Sequence, residues 1–220
     1  MELSITKDQL INYLVHQVNN LFPDNNLLEK KMLSEIIDHS IDRLDYCFSK
    51  VTNSRYKTNN KTFYNHLYSD HNIVFYWFIA NTIWKRFSDN QYASKFYYLN
   101  KTMHGFDCMY DTQMPDIFLI FHGVGTMLGK AHYEDYFIAM QGCTVGANRG
   151  KYPIMGKGVS LTANSSIIGD CKIGNQCTIG TSTMLLDTEL QDNHVAYYNT
   201  NGNIQTKLSK HIYSKNFFDF

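Results

Sequence analysis

The chain has 220 residues, enough for one large domain or two small ones with a buried core. Lysine plus arginine and aspartate plus glutamate both number 20, so the formal net charge is zero. That balance argues against a nucleic-acid or anionic-membrane partner, because both favour a basic excess.

Targeting, membrane and metal signals are weak. The N-terminal segment "MELSITKDQL" lacks the basic and apolar regions of a signal peptide, and the most apolar run, residues 72–84, is too short to span a bilayer. The five cysteines form no C-x-x-C pair and their number is odd, which is typical of reduced thiols rather than of disulfides or a zinc site. These features predict a cytoplasmic protein with no membrane span and no metal.

The first hundred residues have helical spacing. Apolar residues recur every three or four positions after a capping box at Thr6 and Gln9, which predicts a first helix ending near Phe22. The stretch "PDNN" at 23–26 is expected to end that helix and cap a second one reaching Phe48. The polar residues 51–62 predict a loop, and two more helices are expected near 70–87 and 90–104. The sequence therefore predicts an all-helical region over residues 1–104.

The second half has a different period. One set of apolar residues recurs every six positions, and glycine follows three of its members: Met155, Leu161, Ile167, Ile173, Ile179 and Leu185. This interval is typical of a hexapeptide β-helix, whose repeated apolar residues stack inward and whose glycines allow positive φ at the corners. Cys171 and Cys177 fit small buried positions in neighbouring corners. The alternative, a β-sandwich, is disfavoured because its turns rarely keep a strict interval.

A helical half followed by such a repeat resembles the serine acetyltransferases. In that family a catalytic His follows its Asp partner by fifteen positions, as His122 follows Asp107 here. The stretches "HGVGTMLG" at 122–129, "QGCTVG" at 141–146 and "PIMGKGV" at 153–159 are similar to the family's, so the best likeness runs from Asp107 to Leu185. The resemblance implies an α+β chain: a helical domain over 1–104, a left-handed parallel β-helix over 105–195 and a tail over 196–220.

The resemblance also implies an acetyl-CoA-dependent O-acetyltransferase without a metal, assembled as a homotrimer or a dimer of trimers. His122 would be the general base, since an ordinary histidine pKa of about 6.5 lies near working pH. Asp107 would orient the imidazole, with Asp111 and Asp116 as nearby alternatives. Backbone N–H groups near residues 142–145 would stabilise the oxyanion. The simpler interpretation of His122 is a structural histidine in a corner.

Acetyl-CoA is expected along the outside of the coil, between subunits. By resemblance, five positions would face its pantetheine arm: Gly146, Ala147, Asn148, Ala163 and Thr181. Lys207 is a weaker candidate for a phosphate contact. Cys143 offers an alternative covalent mechanism, but its place inside "MQGCTVG" favours a small buried residue.

The departures from the family concern the acceptor. The Asp that precedes the catalytic His in the family is Phe121 here, an Arg-His pair is Lys151-Tyr152, and the family's Ile-ended tail is "SKNFFDF". Loss of a carboxylate and a guanidinium disfavours a zwitterion, and aromatic rings suit a sugar. We therefore predict Phe121, Lys151 and Tyr152 as substrate-binding residues and a sugar or polysaccharide-precursor hydroxyl as acceptor. Serine is the alternative acceptor, and a non-catalytic β-helix scaffold is the alternative function. N-acyl and succinyl transferases rank lower because they usually lack the helical half.

Overall fold

Four helices form the first half of the chain in the computed structural model, which describes residues 1–220. They are α1 (Lys7–Leu21), α2 (Lys30–Ser49), α3 (Ser69–Thr82, continued by a π-helical turn at Ile83–Phe87) and α4 (Asn90–His104). The capping box is present, because Thr6 and Gln9 each accept a hydrogen bond from the other's backbone N–H. All four predicted helices are confirmed.

Helix α3 is the centre of this half. Every residue from Asp70 to Thr82 is buried, so the helix is enclosed on all sides. It packs against α2, α4 and the first strand of the second half. Its Trp77 ring lies 5.5 Å from the ring of Phe118 in that strand. The apolar run that is too short for a membrane span is thus the core helix of the domain.

The prediction of an all-helical first half is wrong at one place. A sheet forms from three strands in the order β1-β3-β2: β1 (Glu2–Leu3), β2 (Lys57–Thr58) and β3 (Lys61–Tyr64). Strand β2 and the start of β3 lie in residues 51–62, which were expected to form a loop. Asn59 and Asn60 both have positive φ, as a tight hairpin turn requires. That Asn-Asn pair was the available signal for the hairpin.

The prediction of a cap at residues 23–26 is also wrong. Helix α2 begins at Lys30, and its N-cap residue Glu29 makes no side-chain capping bond. Asp24 instead accepts a hydrogen bond from the buried Lys95 at 2.7 Å. The Asp24 carboxylate, which was expected to help cap α2, therefore binds the Lys95 ammonium of α4 instead.

The second half is a three-sided parallel β-helix. Its strands follow in coils of three: β4 (Phe118–Ile120), β5 (Met127–Leu128), β6 (His132–Tyr133); β7 (Phe137–Ala139), β8 (Thr144–Gly146), β9 (Ile154–Met155); β10 (Ser160–Leu161), β11 (Ser166–Ile168), β12 (Lys172–Ile173); β13 (Thr178–Ile179), β14 (Met184–Leu186), β15 (Glu189–Leu190). Strand β16 (His194–Tyr198) begins another coil and pairs with the antiparallel β17 (Ile204–Leu208). The three sheets have the orders β17-β16-β13-β10-β7-β4, β14-β11-β8-β5 and β15-β12-β9-β6.

The strand register explains the six-residue period. Ser160 pairs with Thr178 and Ser166 with Met184, an advance of 18 residues, or three hexapeptides, per coil. Ile138 pairs with Ser160, an advance of 22, because residues 147–153 form a loop between β8 and β9. All six apolar residues of the repeat are buried, so the predicted inward stack is confirmed.

The reason expected for the repeat glycines is wrong. Gly156, Gly174 and Gly180 do not have positive φ; the left-handed corners are occupied by other residues, such as Asn164 and Gln176. A Cβ added at Gly174 would lie 2.6 Å from the backbone nitrogen of Asp192 on the next coil. These glycines are therefore required by the close approach of successive coils.

The two halves share one hydrophobic core, and the C-terminal tail joins them. The Phe218 backbone forms an antiparallel bridge with Val51 beyond α2, while the Phe220 ring stacks on Tyr136 of the β-helix at 4.1 Å. The boundary proposed at residue 104 thus separates two kinds of secondary structure within one packed unit. None of the helices has the length and apolar character needed to cross a membrane.

Replacing Gly174 by alanine should destabilise the protein by about 1–3 kcal/mol, because the new methyl group would meet backbone atoms. Gly146→Ala is the matched control: its added Cβ meets only the Ile168 side chain, at 3.4 Å. Urea unfolding of both variants measures the difference. Equal stabilities would contradict the packing argument.

Candidate active site

His122 lies in the first corner of the β-helix, which we define as residues 121–126 between β4 and β5 together with the equivalent residues 140–143, 162–165 and 180–183 of later coils. Its side chain is exposed and its φ is 55°, an uncommon conformation for a residue other than glycine. The Gly142 N–H donates to the Val124 carbonyl, and the Gly125 N–H to the Gly105 carbonyl, both at 3.0 Å. The corner therefore presents the imidazole from a backbone fixed on both sides.

The two glycines after His122 have different causes. Gly125 has φ +75°, so it supplies a tight turn beside His122. Gly123 lies against α3, where an added Cβ would be 2.7 Å from the Ile73 side chain. The bulky apolar residues Phe118–Ile120 before His122 form β4.

Asp70 contacts His122 and was not singled out from the sequence. Its Oδ1 accepts a hydrogen bond from the backbone N–H of His122 at 3.0 Å, while its Oδ2 is buried without a partner. The residue is 1% exposed and lies in the first turn of α3. A single acid at the start of the most apolar segment was the available signal, but only the tertiary structure places it beside His122.

Two more unpartnered polar atoms lie close to Asp70. The Tyr56 hydroxyl and His71 Nε2 are both buried without a hydrogen bond, and their rings lie 4.4 Å apart. His71 Nδ1 accepts the Asn65 N–H at 3.1 Å, so its proton is on Nε2. Burial lowers the pKa of His71 to about 3, and burial together with the Asp70 charge raises the pKa of Tyr56. Both side chains are therefore neutral beside the Asp70 carboxylate.

Asp107 lies on the far side of the same corner. Its backbone pairs with Met127 of β5, and its carboxylate accepts hydrogen bonds from the Tyr97 hydroxyl and the Lys101 ammonium, both at 2.7 Å. Burial alone would raise the pKa of Asp107, but the bonds from Lys101 and Tyr97 outweigh it and keep the pKa below its usual value. Within one chain Asp107 makes no hydrogen bond to His122, so their catalytic pairing stays a prediction.

Neither alternative carboxylate bonds to His122. Asp111 forms a salt bridge with Lys130 at 3.1 Å, and Asp116 is exposed without a hydrogen bond.

A groove of about 340 Å³ connects Asp107 with the predicted cofactor site. Its lining includes Asp107, Met127 and Gly146, and we call it the Asp107 groove. Ala147 and Asn148 follow Gly146 in the loop, where Asn148 donates a hydrogen bond to Asp187 at 2.6 Å. Three of the five predicted cofactor positions therefore lie at the C-terminal ends of the strands in the sheet containing β5, β8, β11 and β14.

The other two predicted cofactor positions lie at the N-terminal ends of the strands in that sheet. Ala163 and Thr181 are in the first corner, in the coils stacked on His122, and the Ala163 carbonyl accepts the Ser182 N–H at 2.9 Å. Between the two ends of the strands, the sheet presents apolar side chains that are about half exposed: Met127, Met184 and Leu186. The predicted positions therefore border one elongated apolar face.

The predicted substrate-binding residues separate in the structure. Phe121 is only 6% exposed, and its ring packs 4.8 Å from that of Phe217 in the tail. Lys151 and Tyr152 are exposed in the 147–153 loop, away from the first corner. Little of the Phe121 ring is left for a sugar to stack on.

The cysteines occupy buried positions. Cys143 is fully buried and its thiol donates to the Thr162 carbonyl at 3.2 Å, which favours a packing role over a nucleophile. Cys171 and Cys177 are also fully buried. No group of three or more His, Cys, Asp or Glu side chains is arranged to hold a metal ion.

The sequence matches no protein-family model and no curated protein. Solved structures do match. A serine acetyltransferase in complex with cysteine is 17% identical, with 95% of this chain and 83% of that chain covered and a TM-score of 0.68. A serine acetyltransferase in complex with CoA is 17% identical, with coverages of 91% and 85% and a TM-score of 0.65. The Neisseria gonorrhoeae enzyme in complex with serine is 15% identical, with coverages of 87% and 82% and a TM-score of 0.65.

This chain has the serine acetyltransferase fold. The match extends through the helical half as well as the coil, since it covers about nine-tenths of the chain. The predicted fold class, a helical domain followed by a left-handed parallel β-helix, is confirmed.

Lys207, the weaker candidate for a phosphate contact, lies in β17 and pairs with Val195. Its ammonium is 4.7 Å from the centre of the Tyr197 ring.

The buried histidines predict acid sensitivity. Burial lowers the pKa of His104 to about 4 as well as that of His71 to about 3, whereas both bind a proton near pH 6.5 in the unfolded chain. Between pH 6.5 and about 4 the unfolded state binds more protons, so the free energy of unfolding falls as the pH falls. The expected loss is up to about 1.4 kcal/mol per pH unit for each histidine.

Urea unfolding at pH 7.5, 6.0 and 5.0 measures this loss. His104→Gln should show a shallower pH dependence than the wild type because it removes one of the two groups. Identical dependences would contradict the contribution of His104.

Proposed function

We propose that the protein is an acetyl-CoA-dependent O-acetyltransferase whose general base is His122 and whose acceptor is serine. The observation that carries this proposal is an exposed histidine in a left-handed corner, held by a buried carboxylate, on a fold shared with serine acetyltransferases over nearly the whole chain. The neighbours solved with CoA and with serine support both substrates.

The chemistry requires one base near the acceptor hydroxyl. The hydroxyl oxygen bonds to the thioester carbon while its proton moves to His122, and the carbon–sulfur bond then breaks to release CoA. The proton on His122 passes to the departing thiolate. Histidine suits both transfers because its neutral imidazole accepts the proton and the resulting imidazolium donates it. Acetyl-CoA would lie along the apolar face between the first corner and the Asp107 groove.

We assign Asp107 as the positioning carboxylate, in an assembly of several copies. Its ionised state is maintained by Lys101 and Tyr97, but it makes no hydrogen bond to His122 within one chain. A first corner of a neighbouring copy, placed against the Asp107 groove, would bring an imidazole to this carboxylate. We therefore propose a homotrimer, the assembly that the resemblance implies, as the source of that neighbouring copy.

Serine is favoured over a sugar by two observations. The ring of Phe121 is covered by Phe217, which weakens the case for sugar stacking. Asp70 places an unpaired carboxylate oxygen beside His122, where it could accept hydrogen bonds from an ammonium group. We propose that this carboxylate from α3 takes the place of the one missing before His122 in the sequence.

His122→Ala should lower kcat by about 10²–10⁴-fold, because general base catalysis typically contributes that much. Release of free CoA thiol from acetyl-CoA, with L-serine and a panel of sugars as acceptors, measures the effect. His132→Ala is the matched control, since that exposed histidine pairs only with Glu134. Turnover of a sugar but not of serine would show that the acceptor is a sugar. Acetyl-CoA binding without any acceptor-dependent release of thiol would favour the scaffold function.

Asp70→Asn should raise KM for L-serine by about tenfold or more, since a hydrogen bond to a charged group contributes on the order of 1.5–3 kcal/mol. Asp42→Asn, at an exposed position of α2, is the control. Steady-state kinetics with a circular dichroism check of folding provide the comparison. An unchanged KM in a folded variant would remove Asp70 from the acceptor site.

A further inference from the structure

We propose that Arg55 binds the carboxylate of the acceptor and so restricts the acceptor to free amino acids that carry a hydroxyl. This inference rests on the proposed function and adds a specificity-determining residue to it. Arg55 lies in the short segment between α2 and the β2–β3 hairpin, within the 3-10 turn Ser54–Tyr56.

A pocket of about 570 Å³ opens at Arg55. Its lining includes Ser54, Arg55, Lys57, Asn65 and Tyr68, so it carries two cations and no acid. It lies at the N-terminal end of α3, because Tyr68 is the N-cap residue of that helix and makes no side-chain capping bond. The positive end of the helix dipole adds to the two cations there. The pocket has the charge to take an anionic group.

Two contacts connect the segments that line this pocket with the first corner. Tyr68 immediately precedes the turn that carries Asp70, which accepts the His122 N–H. The Thr52 N–H, three residues before Arg55, donates to the Phe217 carbonyl at 2.9 Å, and the Phe217 ring packs on Phe121. The Arg55 segment, the start of α3 and the tail therefore converge on the first corner.

The Arg55 guanidinium is preorganised but not neutralised. It donates to the Tyr68 hydroxyl at 3.2 Å and lies 5.7 Å from the centre of that ring, while it forms no salt bridge. The remaining N–H donors of its planar fork match the two oxygens of a carboxylate. The hydrogen bond with Tyr68 raises the pKa of Arg55, and the negative charge of Asp70 adds a smaller effect.

Opposite charges thus flank the acceptor position. The free oxygen of Asp70 suits an ammonium, and the fork of Arg55 suits a carboxylate, so together they suit a zwitterion. The hydroxyl on the β-carbon of such an amino acid would then face His122. This arrangement would replace the guanidinium whose loss at Lys151-Tyr152 the sequence shows.

The test compares L-serine with L-serinamide, which keeps the ammonium and hydroxyl but lacks the carboxylate. Wild type should prefer L-serine. Arg55→Gln should lower kcat/KM for L-serine by about tenfold to a hundredfold, mainly through KM, and leave L-serinamide unchanged. Lys61→Gln, on the same hairpin but outside the pocket lining, is the matched control and should keep the preference.

The outcomes separate this inference from the proposed function. A preference for L-serine that survives in Arg55→Gln would overturn the inference while the enzyme itself stands. Loss of the preference in Lys151→Gln, rather than in Arg55→Gln, would assign the carboxylate to the 147–153 loop instead. If wild type shows no turnover, calorimetric titration of L-serine decides: binding that Arg55→Gln weakens supports Arg55 without the catalytic proposal, and absence of binding overturns both.

Discussion

The hydrogen bond from the His122 backbone to Asp70 is the interaction on which the rest of the site depends. It joins the first turn of the central helix to the first corner of the β-helix, 52 positions apart in the chain. One carboxylate oxygen accepts the N–H of the left-handed His122 backbone, and the other is buried without a hydrogen-bond partner. A buried carboxylate carries a desolvation cost, which is more easily sustained where its second oxygen has a ligand to bind.

The helical half is therefore more than an attachment to the β-helix. Helix α3 packs on β4 through Trp77 and Phe118 and reaches the corner through Ile73 and Gly123. The tail adds a third support, since Phe217 covers Phe121 directly before His122. Three segments distant in sequence thus limit the movement of one corner, and such rigidity is what placing a base near a reacting hydroxyl demands.

Charge is distributed over the site in a consistent way. Asp107 is held ionised by Lys101 and Tyr97, whereas Asp70 contacts the His122 backbone and, in the proposed arrangement, Arg55 would add the opposite charge beside it. The outer face of the β5–β8–β11–β14 sheet is apolar, so it suits the uncharged pantetheine arm of acetyl-CoA rather than a phosphate. The acyl donor and the acceptor would accordingly approach His122 from different directions.

The sequence by itself determined the architecture, because periodicity is a local property: a spacing of three or four specified the helices, and a spacing of six specified inward stacking in an 18-residue coil. It also singled out His122 as the candidate base, through its interval from Asp107 and the glycines that follow it. It did not reveal the contact of Asp70 with His122 or the position of Arg55, and it misjudged the β2–β3 hairpin and the reason for the coil glycines. Those features depend on which segments meet in space. Only the tertiary structure brought α3, the 52–55 segment and the tail to the first corner, because burial of the shared core, rather than any local pattern, decides which side chains surround it.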